Sequence, residues 1–150
     1  MLVRFTTSGT LAAAWLCGIA FVRPVPSAPT LVATLNATNQ AGTNRIFGNV
    51  KLTPSGDGEY RLDMSIRNGG GPQNKYPWII RSGQCGESAG TEVGNPVAYR
   101  MLETTGDGTA RIVNAKMKLD IPEGVHRVDI LKSPTDREIV VACGVLSPQP

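Results

Sequence analysis

The sequence is poor in the residues on which most catalytic sites depend. Among 150 residues there is one histidine, His126, and aromatic side chains make up 5% of the chain. A Ser–His nucleophile pair would have to use His126, and the serine of RSGQC lacks the GxSxG context of a nucleophile elbow. No two carboxylates are placed together by the sequence for glycoside hydrolysis. The residues alone therefore indicate no catalytic site.

The sequence also lacks a large excess of either basic or acidic residues. The formal net charge of +3 comes from 15 basic and 12 acidic residues, which are spread along the chain without a basic run. Few aromatic side chains are present to stack on bases. The sequence therefore predicts that no nucleic acid is bound.

The first 22 residues carry almost no charge. Within them the segment LAAAWLCGIAFV (residues 11–22) is apolar throughout except for glycine, which is typical of a secretory signal. One interpretation is a signal peptide cleaved after Ala20 or Ala28, the second site being disfavoured by the proline that follows it. The other is an uncleaved membrane anchor over residues 5–22, which as a helix would be roughly 27 Å long. Both predict that the rest of the chain is exported.

A retained anchor would also have the means to pack against other helices. Small residues recur at a four-residue spacing, which allows transmembrane helices to approach closely. The two pairs are Gly9 with Ala13 and Ala14 with Gly18.

Cysteine is scarce as well, with three residues in the chain. Cys17 lies in the apolar segment, which leaves Cys85 and Cys143 in the exported part. An even pair in an oxidising compartment is typical of a disulfide. Their spacing is unlike CxxC, so redox catalysis is not predicted.

After the proline-rich spacer at residues 23–29, apolar residues do not recur every three to four positions, as they would in a helix. The sequence alternates instead, most clearly in EYRLDMSIR (Glu59–Arg67), which predicts a strand with one solvent-exposed face. The turn-forming TPSGDGE (residues 53–59) joins this strand to an alternating run at residues 46–52, which predicts a hairpin. Further strands are predicted at 30–38, 76–81, 98–103, 110–119, 125–131 and 138–146. About eight strands separated by turns predict an all-β sandwich or barrel.

Short motifs around the cysteines resemble those of copper/zinc superoxide dismutases. They comprise Gly83 and Cys85, then Ser88, Ala89 and Gly90 with Asn95 and Pro96, and finally ACGVL at residues 142–146. The resemblance covers roughly residues 30–146. It implies an eight-stranded Greek-key β-sandwich or barrel, here preceded by one N-terminal apolar helix. In that family the two matching cysteines form the intrasubunit disulfide.

The chain departs from the family at the metal site. The resemblance puts the first two copper ligands on Trp78 and Ile80, the bridging histidine near Val93, the last copper ligand on Leu131 and the anion-guiding arginine on Val140. A copper site needs several imidazoles in a fixed geometry, so no metal, no cofactor and no dismutase activity are expected. These apolar side chains would either fill the former metal cavity or, where exposed, form a patch for a partner. His126 is expected to be a partly buried or a solvated strand residue.

Three segments are thus predicted: a signal peptide or anchor at residues 1–22, a spacer at 23–29 and a superoxide dismutase-like sandwich at 30–150. The expected function is a non-catalytic structural or binding subunit in the periplasm. With a retained anchor, it would dock on a membrane protein complex, photosynthetic or respiratory. Two alternatives stay open: a metal-dependent enzyme of the superoxide dismutase type with an atypical site, and a soluble periplasmic ligand-binding domain.

Overall fold

The computed structural model describes residues 28–88, 90–96 and 99–149. Within these ranges the chain forms ten β-strands. They are β1 Leu31–Ala37, β2 Phe47–Gly56, β3 Glu59–Arg67, β4 Lys75–Tyr76, β5 Trp78–Ser82, β6 Glu92–Val93, β7 Leu102–Glu103, β8 Ala110–Lys118, β9 His126–Leu131 and β10 Val140–Pro148. The all-β class predicted from the alternation is confirmed.

The predicted N-terminal elements lie outside the described residues. This applies to the signal peptide or anchor, to residues 23–27 of the predicted spacer at 23–29, and to Cys17 with the helix-packing residues Gly9, Ala13, Ala14 and Gly18. In the part of the chain that the structure does describe, no helix is long and apolar enough to cross a membrane.

Eight strands form one antiparallel sheet in the order β6-β5-β9-β10-β1-β2-β3-β8. The sheet curls into a half-barrel whose two edge strands are β6 and β8. The remaining strands, β4 and β7, pair with each other. Since β6 and β8 are not hydrogen-bonded to each other, the half-barrel has an open side between them.

The core follows directly from the alternation. In β3, Tyr60, Leu62, Met64 and Ile66 are buried, whereas the residues between them are exposed or half-buried. Equivalent positions of β1, β2, β5, β8, β9 and β10 contribute to the same hydrophobic cluster. Burial of these apolar faces against one another is the main favourable term in the folding of such a sheet.

The turn of the β2–β3 hairpin is tighter than predicted. Strand β2 continues through Gly56, which pairs with Glu59, so the connection consists of Asp57 and Gly58 alone. Both turn residues have positive φ, 48° and 72°. Asp-Gly suits a two-residue turn of this kind, because both central positions must adopt the left-handed region.

Three other predicted boundaries were wrong. The strand predicted at residues 76–81 is divided by Pro77, which has no N–H to donate to a ladder. Of the strand predicted at 98–103, residues 99–101 are not in a strand and Leu102–Glu103 are. Glu92–Val93 forms a strand in a segment predicted as loop. Strands of two residues are too short to show alternation.

Candidate functional site

Three of the positions at which the resemblance puts metal-site residues lie together in the core. Trp78 and Ile80 are on β5, and Ile80 is paired with Val93 of β6. Their exposed fractions are 2%, 0% and 5%, and all three belong to the central hydrophobic cluster. These positions therefore contribute to the packing of the half-barrel.

The other two positions form a separate pair. Leu131 at the end of β9 is paired with Val140 at the start of β10. Leu131 is buried, but strand alternation puts it on the opposite face of β9 from the core residues Val128 and Ile130. Val140 is half-buried. The structure thus does not bring all five positions into one cluster. Four of them are buried and the fifth, Val140, is half-buried.

A copper or zinc ion does not fit these side chains. Alkyl groups have no donor atom for a metal, and the indole nitrogen of tryptophan only donates a hydrogen bond. His126 is buried at the other end of β9, with Nδ1 3.2 Å from the carbonyl oxygen of Gly124. Residues 28–88, 90–96 and 99–149 contain no group of three or more His, Cys, Asp and Glu side chains that could hold a metal ion.

An aromatic stack fixes the segment that follows β6. The rings of Trp78 and Tyr99 are stacked at a centroid distance of 4.4 Å and an interplanar angle of 15°. The Trp78 indole N–H donates to the carbonyl oxygen of Arg100 at 2.9 Å, and the Tyr99 hydroxyl donates to that of Val93 at 2.7 Å. Both polar groups of the stack are therefore satisfied by backbone. Sequence reasoning gave Tyr99 no role beyond a strand position.

A cavity of about 370 Å³ lies between β8 and the three residues Asn95, Tyr99 and Arg100, on the open side of the half-barrel. We call it the seam pocket. Its floor is apolar and consists of Leu62, Trp78, Tyr99, Ile112, Ala115 and Met117. Its rim is polar and consists of Asn95, Arg100, Lys116 and Lys118. The volume falls near the lower end of the range of about 300–1,000 Å³ for small-molecule sites.

The rim of the seam pocket is cationic. Arg100, Lys116 and Lys118 are exposed, and none of them forms an ion pair with another described residue. No Asp or Glu is among the lining residues. The pocket therefore combines an apolar floor with an excess of positive charge at its mouth.

The predicted disulfide between Cys85 and Cys143 is confirmed. It joins β10 to the loop that follows β5, with the two Cα atoms 5.8 Å apart. We call residues 83–91 the disulfide loop. It begins at Gly83, where φ is +92° and the amide donates to the carbonyl oxygen of Val125 at 2.8 Å. Glycine adopts this φ without the steric cost that a Cβ atom would bring.

A buried arginine holds the start of this loop. The Arg127 side chain is 2% exposed. Its Nη1 donates to the carbonyl oxygens of Ser82 at 3.0 Å and Gln84 at 2.9 Å, and its Nη2 donates to that of Glu87 at 3.0 Å. Its Nε donates to both carboxylate oxygens of Asp129, at 3.1 and 3.2 Å. The guanidinium thus donates charge-assisted hydrogen bonds to one carbonyl at the end of β5 and to two carbonyls of the loop.

Asp129 lies between two guanidinium groups. Besides Arg127, it contacts Arg81, whose Nη1 is 3.6 Å from Oδ2, and Arg81 in turn pairs with Glu92 at 3.1 Å. Burial raises the pKa of Asp129, and its contacts with Arg127 and Arg81 act in the opposite direction. Sequence reasoning missed Arg127 and Asp129. The available signal was their spacing of two within a predicted strand, which puts both side chains on one face.

The ionisation of Tyr99 provides a test of the aromatic stack. Burial and the nearby Glu92 carboxylate raise the pKa of Tyr99 from 10.0 to about 12. The folded chain keeps a proton that the unfolded chain releases above pH 10. We therefore expect the stabilising contribution of Tyr99 to be complete below pH 10 and lost as the pH rises to about 12.

Ultraviolet difference absorbance measured against pH should show a phenol ionisation near pH 12 that is absent in Tyr99→Phe. The ionisation of Tyr76, whose pKa is also raised by burial, should remain in both chains. The same variant should show a weaker loss of unfolding free energy in this alkaline range. A Tyr99→Phe titration identical to that of the parent chain would contradict the assignment.

No protein-family model matches the chain, and no curated protein matches it. Function is therefore inferred from the geometry of the described residues.

Proposed function

We propose that this chain is an exported, non-catalytic binding domain with the Greek-key strand arrangement of copper/zinc superoxide dismutases. The observation that carries the proposal is the packing at the positions where the resemblance puts metal ligands. Trp78, Ile80 and Val93 lie in the core, and each large apolar side chain buried there contributes about 2 kcal/mol. The folded state gains this stability without an ion.

The strand order supports the family resemblance. β1, β2 and β3 are sequential neighbours, β8 joins β3, and the chain then returns to place β9 between β5 and β10. The last strand, β10, pairs with β1. Long return connections of this kind characterise Greek-key sheets. The bonded cysteines at the two matching positions are a second, independent point of agreement.

The apolar segment at residues 11–22 supports export, and with it a periplasmic location. A retained anchor would make the domain a structural or binding subunit of a membrane protein complex, photosynthetic or respiratory. A cleaved segment would make it a soluble periplasmic ligand-binding domain. The seam pocket favours a binding role in either case. A metal-dependent dismutase with an atypical site is disfavoured by the side chains present, which offer one imidazole.

The metal content of the purified full chain tests this proposal. After incubation with Cu²⁺ and Zn²⁺ and removal of excess metal, we expect no stoichiometric ion, no rise in melting temperature and no dismutase activity. His126→Gln serves as the control, because weak binding through the single imidazole would disappear in it. One retained equivalent of copper together with dismutase activity in the parent chain would overturn the proposal.

The same chain, isolated in mild detergent, tests its association. Intact mass would show whether residues 1–20 are present. If they are, co-purifying membrane subunits are expected, whereas a chain that retains them and always behaves as a free monomer would contradict the membrane-complex form of the proposal.

A further inference from the structure

We propose that the seam pocket binds a single-chain alkyl carboxylate, with the alkyl chain on the apolar floor and the carboxylate at the cationic rim. This inference rests on the binding role proposed above and names the chemical class of the ligand. It needs no metal and no movement of the strands.

The floor is suited to an apolar chain and not to a polar one. Leu62, Ile112 and Trp78 are buried at its base, with exposed fractions of 1–2%. Two floor residues carry an N–H or O–H group on the side chain, Trp78 with Nε1 and Tyr99 with its hydroxyl, and both groups already donate to backbone carbonyls. A polar ligand group placed there would lose its water without gaining a new partner, which is costly. An alkyl chain has no such cost.

The rim is suited to a negative charge. Lys116 and Lys118 approach from β8, while Arg100 approaches from the segment on the other side of the pocket. Lysine on an edge strand also discourages pairing with another chain, and that role alone would explain the two lysines. It does not explain Arg100, which lies outside the strand. Three cations around one opening, with no lining carboxylate, are complementary to an anion.

The shape of the pocket limits the ligand further. Four consecutive residues of β8, from Ala115 to Lys118, line it. Because successive strand side chains point to opposite faces, the pocket lies along the free edge of β8, over the roughly 10 Å that four strand residues span. A cavity of about 370 Å³ favours one alkyl chain over the two chains of a phospholipid.

Fluorescence of Trp78 provides a local measurement. The chain has two tryptophans, so the full chain with Trp15→Phe reports on Trp78 alone. This matters because the apolar segment at residues 11–22 could itself take up an alkyl chain. Titration with decanoate should change the Trp78 emission in a saturable way. Decanol and decyltrimethylammonium are the neutral and cationic comparisons, and both should bind more weakly.

Matched variants separate the rim from general surface charge. In the Trp15→Phe background, Lys116→Gln with Lys118→Gln should weaken decanoate binding about fivefold at low salt. Lys51→Gln with Lys75→Gln removes two exposed lysines elsewhere and should leave binding unchanged. Ala115→Leu should reduce binding by occupying the floor, and circular dichroism confirms that each variant is folded.

Two results would overturn the inference: no saturable change in Trp78 emission with decanoate, or equal affinity for decanoate and decanol. Either could occur in a chain that also lacks copper and dismutase activity. Failure of the ligand assignment is therefore distinguishable from failure of the proposed non-catalytic role.

Discussion

Substitution of Arg127 by methionine is expected to lower the free energy of unfolding by about 3–5 kcal/mol. The guanidinium donates to the carbonyl oxygens of Ser82, Gln84 and Glu87 and to the Asp129 carboxylate. Methionine fills a similar volume but offers no donor. The buried Asp129 charge would lose its closest partner, and three backbone carbonyls would each lose a charged donor.

Urea unfolding followed by circular dichroism would measure the loss. Arg111→Met, at an exposed position of β8, is the matched control and should change stability by no more than about 0.5 kcal/mol. Arg127→Lys should recover only part of the loss, because one ammonium group cannot reproduce the planar set of donors. Equal unfolding midpoints for Arg127→Met and Arg111→Met would show that the buried network does not stabilise the fold.

Removal of the disulfide by Cys85→Ala with Cys143→Ala is expected to cost about 4 kcal/mol on the chain-entropy model. The bond joins residues separated by 58 positions, so it restricts a long segment of the unfolded chain. Alanine avoids placing a hydroxyl at Cys143, which is 5% exposed. Chemical reduction of the parent chain should give the same loss.

Denaturant unfolding with and without a reducing agent makes this measurement, and Cys17→Ala is the control for loss of a cysteine outside the pair. Identical midpoints for the oxidised and reduced chains would contradict the expectation. The losses from the disulfide and Arg127 variants should not add. The Gln84 carbonyl that Arg127 binds directly precedes Cys85, so both act on one loop.

The parts of the fold that were predictable from sequence are those determined by local pattern. Alternation in Glu59–Arg67 gave a strand whose buried residues are the ones expected, because one face of such a strand must avoid water. The disulfide was predictable because two cysteines, Cys85 and Cys143, lie outside the N-terminal apolar segment. Strands of two residues, such as β6 and β7, have too few positions to show a period, and they were missed or misplaced.

The parts that were not predictable depend on contacts between distant segments. Tyr99 stacks on Trp78 across a connection of 20 residues, and the seam pocket exists only because β8 lies at the edge opposite β6. Arg127 is buried because the disulfide loop covers it. A charged residue in a strand is ordinarily solvated, and no local pattern distinguishes the exception.

The position of β10 has a consequence for how the chain reaches this structure. β10 lies between β9 and β1, where Pro148 pairs with Leu31. Without the pairing of β10, the strands would form two separate sheets, each with an additional open edge. One sheet would be β1-β2-β3-β8 and the other β6-β5-β9. The two sheets are joined by the pairing of β10 with β1, the two strands farthest apart in the chain, and non-local pairing of this kind belongs to the slow range of milliseconds to seconds. During that interval the newly made chain has its greatest exposure to edge-to-edge association with other copies.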